Sequence, residues 1–202
     1  MILPVSCFGI SGRIPNNTSK KNVQTVHCTG MQNYAVKFDS LTFSAGSNIA
    51  RFSQVDETLY RGARPEPNQM TELKELGIDT IIDFTTERFK QPGYSEAEQA
   101  ELLGIKHCRI PLVSCENPSD EDINKFFEII QNAKKNRQKV FIHCLEGRDR
   151  TGLFTELYKI KFGLSDAQTS INNLIKNRYN FSENPLAINF IKEFSQTRAF
   201  KR

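Results

Sequence analysis

Cys144 and Arg150 stand six positions apart and enclose Leu145, Glu146, Gly147, Arg148 and Asp149, with Thr151 and Gly152 directly behind them. Before this run, a β-branched and aromatic stretch over 139–142 predicts a buried strand. After it, Leu153, Phe154, Leu157, Tyr158 and Ile160 recur at helical spacing. The enclosed loop therefore opens onto a helix N-terminus, where unpaired amides and the positive end of the helix dipole favour a bound anion. A thiol in such a field is drawn toward its thiolate, the reactive form. Arg150 can fold back over the loop and offer two oxygens of a tetrahedral anion its planar fork. Nucleophile and anion clamp would then share one loop.

Each residue alone has a plainer explanation. A cysteine at a strand end is ordinarily a small buried apolar residue, and a glycine among charges is ordinarily a solvated turn. The joint pattern His-Cys-x-x-Gly-x-x-Arg-Thr-Gly over 143–152, between strand and helix, is far more specific. It resembles the signature of the cysteine-dependent protein tyrosine phosphatases. The run Tyr60-Arg61-Gly62-Ala63-Arg64-Pro65 is similar to the segment leading into many small dual-specificity phosphatases, and together the two cover the chain from about residue 50 to 198.

The resemblance implies a two-step phosphomonoester hydrolysis: Cys144 attacks phosphorus to give a thiophosphate, and water then releases phosphate. Its expected binding loop is Leu145, Glu146, Gly147, Arg148, Asp149 and Arg150, whose amides and guanidinium stabilise the phosphoryl oxygens. It implies that the Thr151 hydroxyl eases departure of the sulfur, unless it only caps the following helix. It makes His143 a structural support of the loop. The family usually takes its general acid from an aspartate shortly after a segment like Arg109-Ile110-Pro111, and here no aspartate stands at that place. Three substitutes remain, in the order Asp149, Glu116, Asp120. Asp149 sits inside the loop, as in phosphatases acting on phosphoinositides, including myotubularins. Its alternative is an ion-pair partner of Arg148 or Arg150, which would also oppose its protonation. Arg148 is either a second cation for a multiply phosphorylated head group or a solvated side chain. The substrate classes left open are phosphotyrosine, phosphoserine or phosphothreonine proteins and phosphoinositides or inositol phosphates. The rivals from other classes are a rhodanese-like sulfurtransferase or arsenate reductase and a module that binds phosphorylated ligands without turnover.

With 202 residues, 25% of them charged and 10% aromatic, the chain supports one well-buried domain plus a tail. It has no apolar run near the roughly 18 residues a membrane span requires. A net charge of +4 suits anionic substrates, and scattered Lys and Arg argue against a nucleic-acid groove. Five cysteines without paired spacing suggest neither a disulfide scaffold nor a zinc site, and no metal or cofactor is expected. A reducing, cytoplasmic compartment fits, with secretion left open because 1–12 is moderately apolar. Cys115 or Cys108 could form a disulfide with Cys144 on oxidation.

The elements that must position the loop alternate. Residues 1–48 read as a loosely attached arm, with short edge strands over 34–38 and 41–43; 49–202 form the phosphatase domain. A hairpin opens that domain. Asn68 caps a helix stopped by Gly77, and 78–84 forms a central strand. Ser95 and Glu98 box a helix closed by Gly104, 105–110 forms a strand, and Ser119 with Asp122 caps a helix ending in Lys134 and Lys135. Ser165 with Gln168 caps another helix, and Pro185 begins the last. The alternation predicts an α/β fold, a central mostly parallel sheet with helices on both faces.

Overall fold

The computed structural model describes residues 47–86, 93–113, 116–176 and 185–197. The arm expected over 1–48, with its two edge strands, lies outside these except for Ser47 and Asn48, and so does Cys115. Eleven elements follow in order: β1 (Ser53–Gln54), β2 (Leu59–Ala63), α1 (Gln69–Glu75), β3 (Ile78–Asp83), α2 (Glu96–Leu102), β4 (Lys106–Arg109), α3 (Asp120–Lys135), β5 (Lys139–Cys144), α4 (Asp149–Lys161), α5 (Ala167–Lys176) and α6 (Pro185–Thr197).

The strands form one sheet in the order β1-β2-β5-β3-β4. Only β1 and β2 run antiparallel; β2 with β5, β5 with β3 and β3 with β4 are parallel. The expected α/β architecture with a mostly parallel sheet is therefore present. As the apolar run over 78–84 predicts, β3 is an interior strand, and β5 beside it holds the middle position. Both strands are buried on two faces, so both read as continuous apolar runs. Composition alone does not rank them. β5, last of the strands in the chain, lies between β2 and β3, and such a reversal of strand order is where the C-terminal edge of a parallel sheet ordinarily offers a ligand crevice. Register aligns Ala63 and Cys144 across β2 and β5, and Asp83 with His143 across β3 and β5, so three strands deliver their ends to that edge.

Alternation along β5 sorts its side chains. Val140, Ile142 and Cys144 join the core formed with Phe126, Phe154, Leu157 and Tyr158, while Phe141 joins the core formed with Met70, Leu73 and Ala100. His143 follows Phe141 by two positions, and their rings stack at 5.9 Å. The nucleophile candidate thus faces the α3 and α4 side, and its histidine neighbour faces the α1 and α2 side. Helix α4 is buried from Arg150 to Tyr158, so it runs through the core.

The expected caps mostly hold. Ser119 and Asp122 form a reciprocal capping box, and Ser95 accepts from the Glu98 amide. Gly77 and Gly104 end their helices with φ of 77° and 66°, the left-handed backbone expected after a helix. Two assignments change. Asn68 precedes α1 but makes no side-chain cap bond; Gln69 Oε1 instead accepts from the Glu66 amide at 2.8 Å. The cap of α5 is Asp166 rather than Ser165, because its carboxylate accepts from both the amide and the hydroxyl of Thr169 at 2.7 and 3.0 Å. A carboxylate at this position also gains from the helix dipole, which a serine hydroxyl does not. Among the described residues, no helix is long and apolar enough to cross a membrane.

Candidate active site

Strand β5 ends at Cys144 and α4 begins at Asp149, so the connecting loop lies at the C-terminal edge of the sheet. Four consecutive carbonyls of this loop are held by groups outside it. His143 Nδ1 lies 3.3 Å from the Cys144 oxygen, and the Arg64 amide donates to Leu145 at 3.2 Å. Arg51 donates to the Glu146 oxygen at 3.0 Å and Arg61 to the Gly147 oxygen at 2.5 Å. In a trans peptide the N–H points opposite to the C=O. Holding these carbonyls outward therefore turns the amides of Leu145, Glu146, Gly147 and Arg148 away from those groups. Among the described residues no acceptor meets the amides of Glu146, Gly147 and Arg148. An anion in the loop would be met by a ring of oriented donors beside a helix N-terminus.

Gly147 is the residue that permits this curvature. Its φ is 70°, and an added Cβ would stand 2.6 Å from the Ala63 nitrogen and closer still to the Gly62 carbonyl group. The loop packs backbone against backbone on the end of β2.

Arg150 is buried and its Nη1 donates at 3.3 Å to the carbonyls of both Phe84 and Leu112. The clamp is thereby anchored to the end of β3 and to the segment after β4. Thr151 is fully buried, and its hydroxyl has no hydrogen-bond partner among the described residues. A buried hydroxyl at the root of the loop is costly unless a ligand or the sulfur uses it. Cys144 is 3% exposed at the floor. Leu145 is exposed at the rim, and Arg148 is half-buried there.

The three acid candidates are placed differently. Glu116 is exposed in the bend before α3, and Asp120 is exposed in the first turn of α3. Asp149 opens α4 beside Arg150, half-buried. Arg148 takes Glu146 as its ionic partner at 3.7 Å, and among the described residues no ion pair engages Asp149. Burial, followed by repulsion from Glu146, lifts the Asp149 carboxyl above the ordinary carboxylate range, overcoming Arg150 and Arg148. The opposition expected from the flanking arginines is present but loses to desolvation.

The structure adds a group with no counterpart in the sequence reading. Glu96, at the start of α2, is 5% exposed. Its Oε1 meets His143 Nε2 at 2.8 Å and His107 Nε2 at 3.0 Å, and its Oε2 accepts from Arg64 Nε at 3.2 Å. Asp83, Glu96 and His107 bring possible ligand atoms within 4.8 Å of one another. This is an occupied ion-pair network and not a cation cage: Asp83 holds Arg109 at 3.2 Å and the Thr85 amide at 2.7 Å, and both Glu96 oxygens are taken. In the sequence Glu96 reads as one more acidic residue in a helix first turn. Only the inward parity of His143 on β5 hints that it needs a partner on that face.

A family model described as DSP-PTPase phosphatase fused to NAD+ kinase matches residues 18–188. The chain is 30% identical over 105 residues to the inositol diphosphatase DSP4 of Arabidopsis thaliana, covering 50% of each chain. It is 25% identical over 129 residues to the dual specificity protein phosphatase TpbA of Pseudomonas aeruginosa, covering 63% of this chain and 53% of that one. It thus spans about half the length of the curated relatives it matches. Among solved structures, the core catalytic domain of the PP-IP phosphatase SIW14 from S. cerevisiae superposes with a TM-score of 0.57 at 22% identity, covering 73% of this chain and 87% of that one.

Proposed function

Since the chain belongs to the family of dual-specificity-type tyrosine phosphatase domains described as fused to NAD+ kinase, we propose that it hydrolyses phosphomonoesters with Cys144 as nucleophile. The observation that carries this reading is the loop itself, four carbonyls tied outward around a cysteine floor with a buried, anchored arginine behind it. Such preorganised donors stabilise charge as it develops on the phosphoryl oxygens.

In the first step the Cys144 sulfur forms a bond to phosphorus as the ester P–O bond breaks, and Asp149 gives its proton to the leaving oxygen. Arg150 and the amides of Leu145 to Arg148 hold the equatorial oxygens. In the second step water attacks phosphorus, Asp149 takes its proton, and the S–P bond breaks. The Thr151 hydroxyl donates to the departing sulfur. His143 supports the loop from beneath. Burial of Asp149 beside the clamp favours it as the acid over the exposed Glu116 and Asp120. The match to a phosphatase family speaks against sulfur transfer.

Two substrate classes suit the rim. Phosphoproteins would meet the exposed Leu145, whereas inositol phosphates or phosphoinositides would meet Arg148, and similarity to the Arabidopsis inositol diphosphatase favours the second. The test is phosphate release by wild type and Cys144→Ser against a phosphotyrosine peptide, a phosphoinositide and inositol phosphate panel, and NADP+, included because of the kinase in the family description. Release that vanishes in Cys144→Ser supports the reading, and the preferred panel names the substrate class. Tight binding of these ligands without release by wild type would make the protein a binding module, and sulfur transfer from thiosulfate would make it a sulfurtransferase.

A further inference from the structure

Both nitrogens of the His143 ring face acceptors. Nδ1 lies 3.3 Å from the Cys144 carbonyl oxygen and Nε2 2.8 Å from Glu96 Oε1. A carbonyl can only accept, and a carboxylate held by Arg64 and two imidazoles is ionised. A neutral ring has one N–H and would leave a lone pair against an oxygen; the doubly protonated ring satisfies both contacts. The ring is wholly buried, so its charge needs an anion close by, and Glu96 is in direct contact with it.

We propose that Glu96 and His107 are positioning residues that hold His143 doubly protonated beneath the nucleophile, fixing both the Cys144–Leu145 peptide and a positive charge at the floor of the anion loop. The proposal deepens the phosphatase reading, since it gives the nucleophile its electrostatic support. The Nδ1–H pulls the Cys144 carbonyl away from the site and so aims the Leu145 amide into it. The ion pair presents its positive end toward Cys144 and its negative end toward α2. His107 donates to the same Oε1 as His143, and Arg64 fixes Oε2, so the carboxylate cannot rotate away.

Charged and titratable groups reach this pair from every packed element. Glu96 and Tyr94 come from α2 and the segment before it, and Asp83 from β3 with its partner Arg109 on β4. His107 also comes from β4, and Arg64 from the segment after β2. Burial pushes His143 toward neutrality, but the Glu96 charge and hydrogen bond, Asp83 and the Cys144 carbonyl raise it above 6.5. Burial likewise works against ionised Glu96, but the two histidines hold its carboxyl well below the usual range.

The chain has three histidines, so nitrogen-detected NMR of the full chain can follow each ring through a pH titration. In Glu96→Gln, the His143 midpoint is expected to fall by roughly one pH unit or more. Alkylation of Cys144 by iodoacetamide at pH 6.5, read on the Cys144 peptide by mass spectrometry, should slow about tenfold. His107→Leu should move both readouts in the same direction, and His107→Gln, which keeps a donor, should restore them. An unchanged His143 midpoint in folded Glu96→Gln overturns the proposal. Should Glu96→Gln not fold, equal midpoints in His107→Leu and His107→Gln overturn it instead. Neither readout requires a substrate. A moved midpoint in a protein that releases no phosphate upholds the relay and rejects the enzyme reading.

Discussion

Asp149 shows how one side chain's environment selects its chemistry. Its carboxyl is raised above the ordinary 3.8, first by burial and then by Glu146, so it keeps its proton to higher pH than an exposed aspartate does. The proposed acid works only while protonated, so activity should fall as pH rises through this elevated value. Asp149→Asn should lower kcat by about 10²-fold and remove that alkaline limb, whereas Glu116→Gln and Asp120→Asn should leave the limb in place. A pH profile of phosphate release for the three variants checks this. The stability sign follows from the same shift. A carboxyl raised in the fold contributes fully below 3.8, and this is lost as pH rises through the folded value. Ionised Asp149 therefore costs stability near pH 7, and Asp149→Asn should melt no lower than wild type there while losing activity.

The loop between β5 and α4 depends on backbone contact more than on side chains. Gly147 meets two requirements at once, a left-handed backbone and van der Waals contact with the end of β2. Gly147→Ala should abolish phosphate release, because the clash is with Gly62 and Ala63 backbone and neither atom can rotate aside. Phosphate binding, measured calorimetrically on this variant, should also be lost, with a loss of stability of at least about 1–2 kcal/mol from the left-handed strain. Retained phosphate affinity would mean that the carbonyl ties from Arg51, Arg61 and Arg64 do not set the loop's shape. The relay beneath the loop carries its own pH signature. Glu96 contributes stability above its ordinary 4.5, lost as pH falls through its depressed value. His143 contributes below 6.5, lost as pH rises through its raised value. Their mutual support is fullest between those two values.

At the scale of the whole molecule, Asp56 joins three elements. Its carboxylate accepts from the amides of Thr58 and Leu59 at 2.9 and 2.8 Å, from the Tyr158 hydroxyl of α4, and from Lys134 of α3 at 3.2 Å. Lys134 also lies 4.7 Å from the centre of the Phe162 ring. Burial acts to raise the Asp56 carboxyl, but these donors together lower it. Its contribution is present above 3.8 and is lost as pH falls through the depressed value. Asp56→Asn should cost about 2 kcal/mol at pH 7, measured by urea unfolding, and the difference from wild type should shrink in acid. The hairpin that carries Arg61 is held to α4 by this hub, so the same variant should weaken phosphate release without touching the loop.

The features legible in the sequence are those whose causes lie close together along the chain. Cys144, Arg150 and Thr151 share one turn between strand and helix, so their spacing alone implied an anion loop. The Ser119–Asp122 box and the glycines after α1 and α2 are equally local, and alternation of strands and helices sufficed for the α/β class. Local signals failed where two residues compete for one role. Ser165 and Asp166 both suit a cap, and only the packed helix showed which oxygen reaches the Thr169 amide. β3 and β5 are both apolar, and only pairing placed β5 in the middle. The decisive parts of the site are non-local. Glu96 lies 47 positions from His143, Arg61 86 from Gly147, and Arg51 95 from Glu146. No periodicity links residues so far apart; the parallel sheet does, by bringing the ends of β2, β3 and β5 to one edge. The sequence determined which atoms could do the chemistry. Tertiary structure decided their charge states, because desolvation and ion pairing depend on neighbours that only folding supplies.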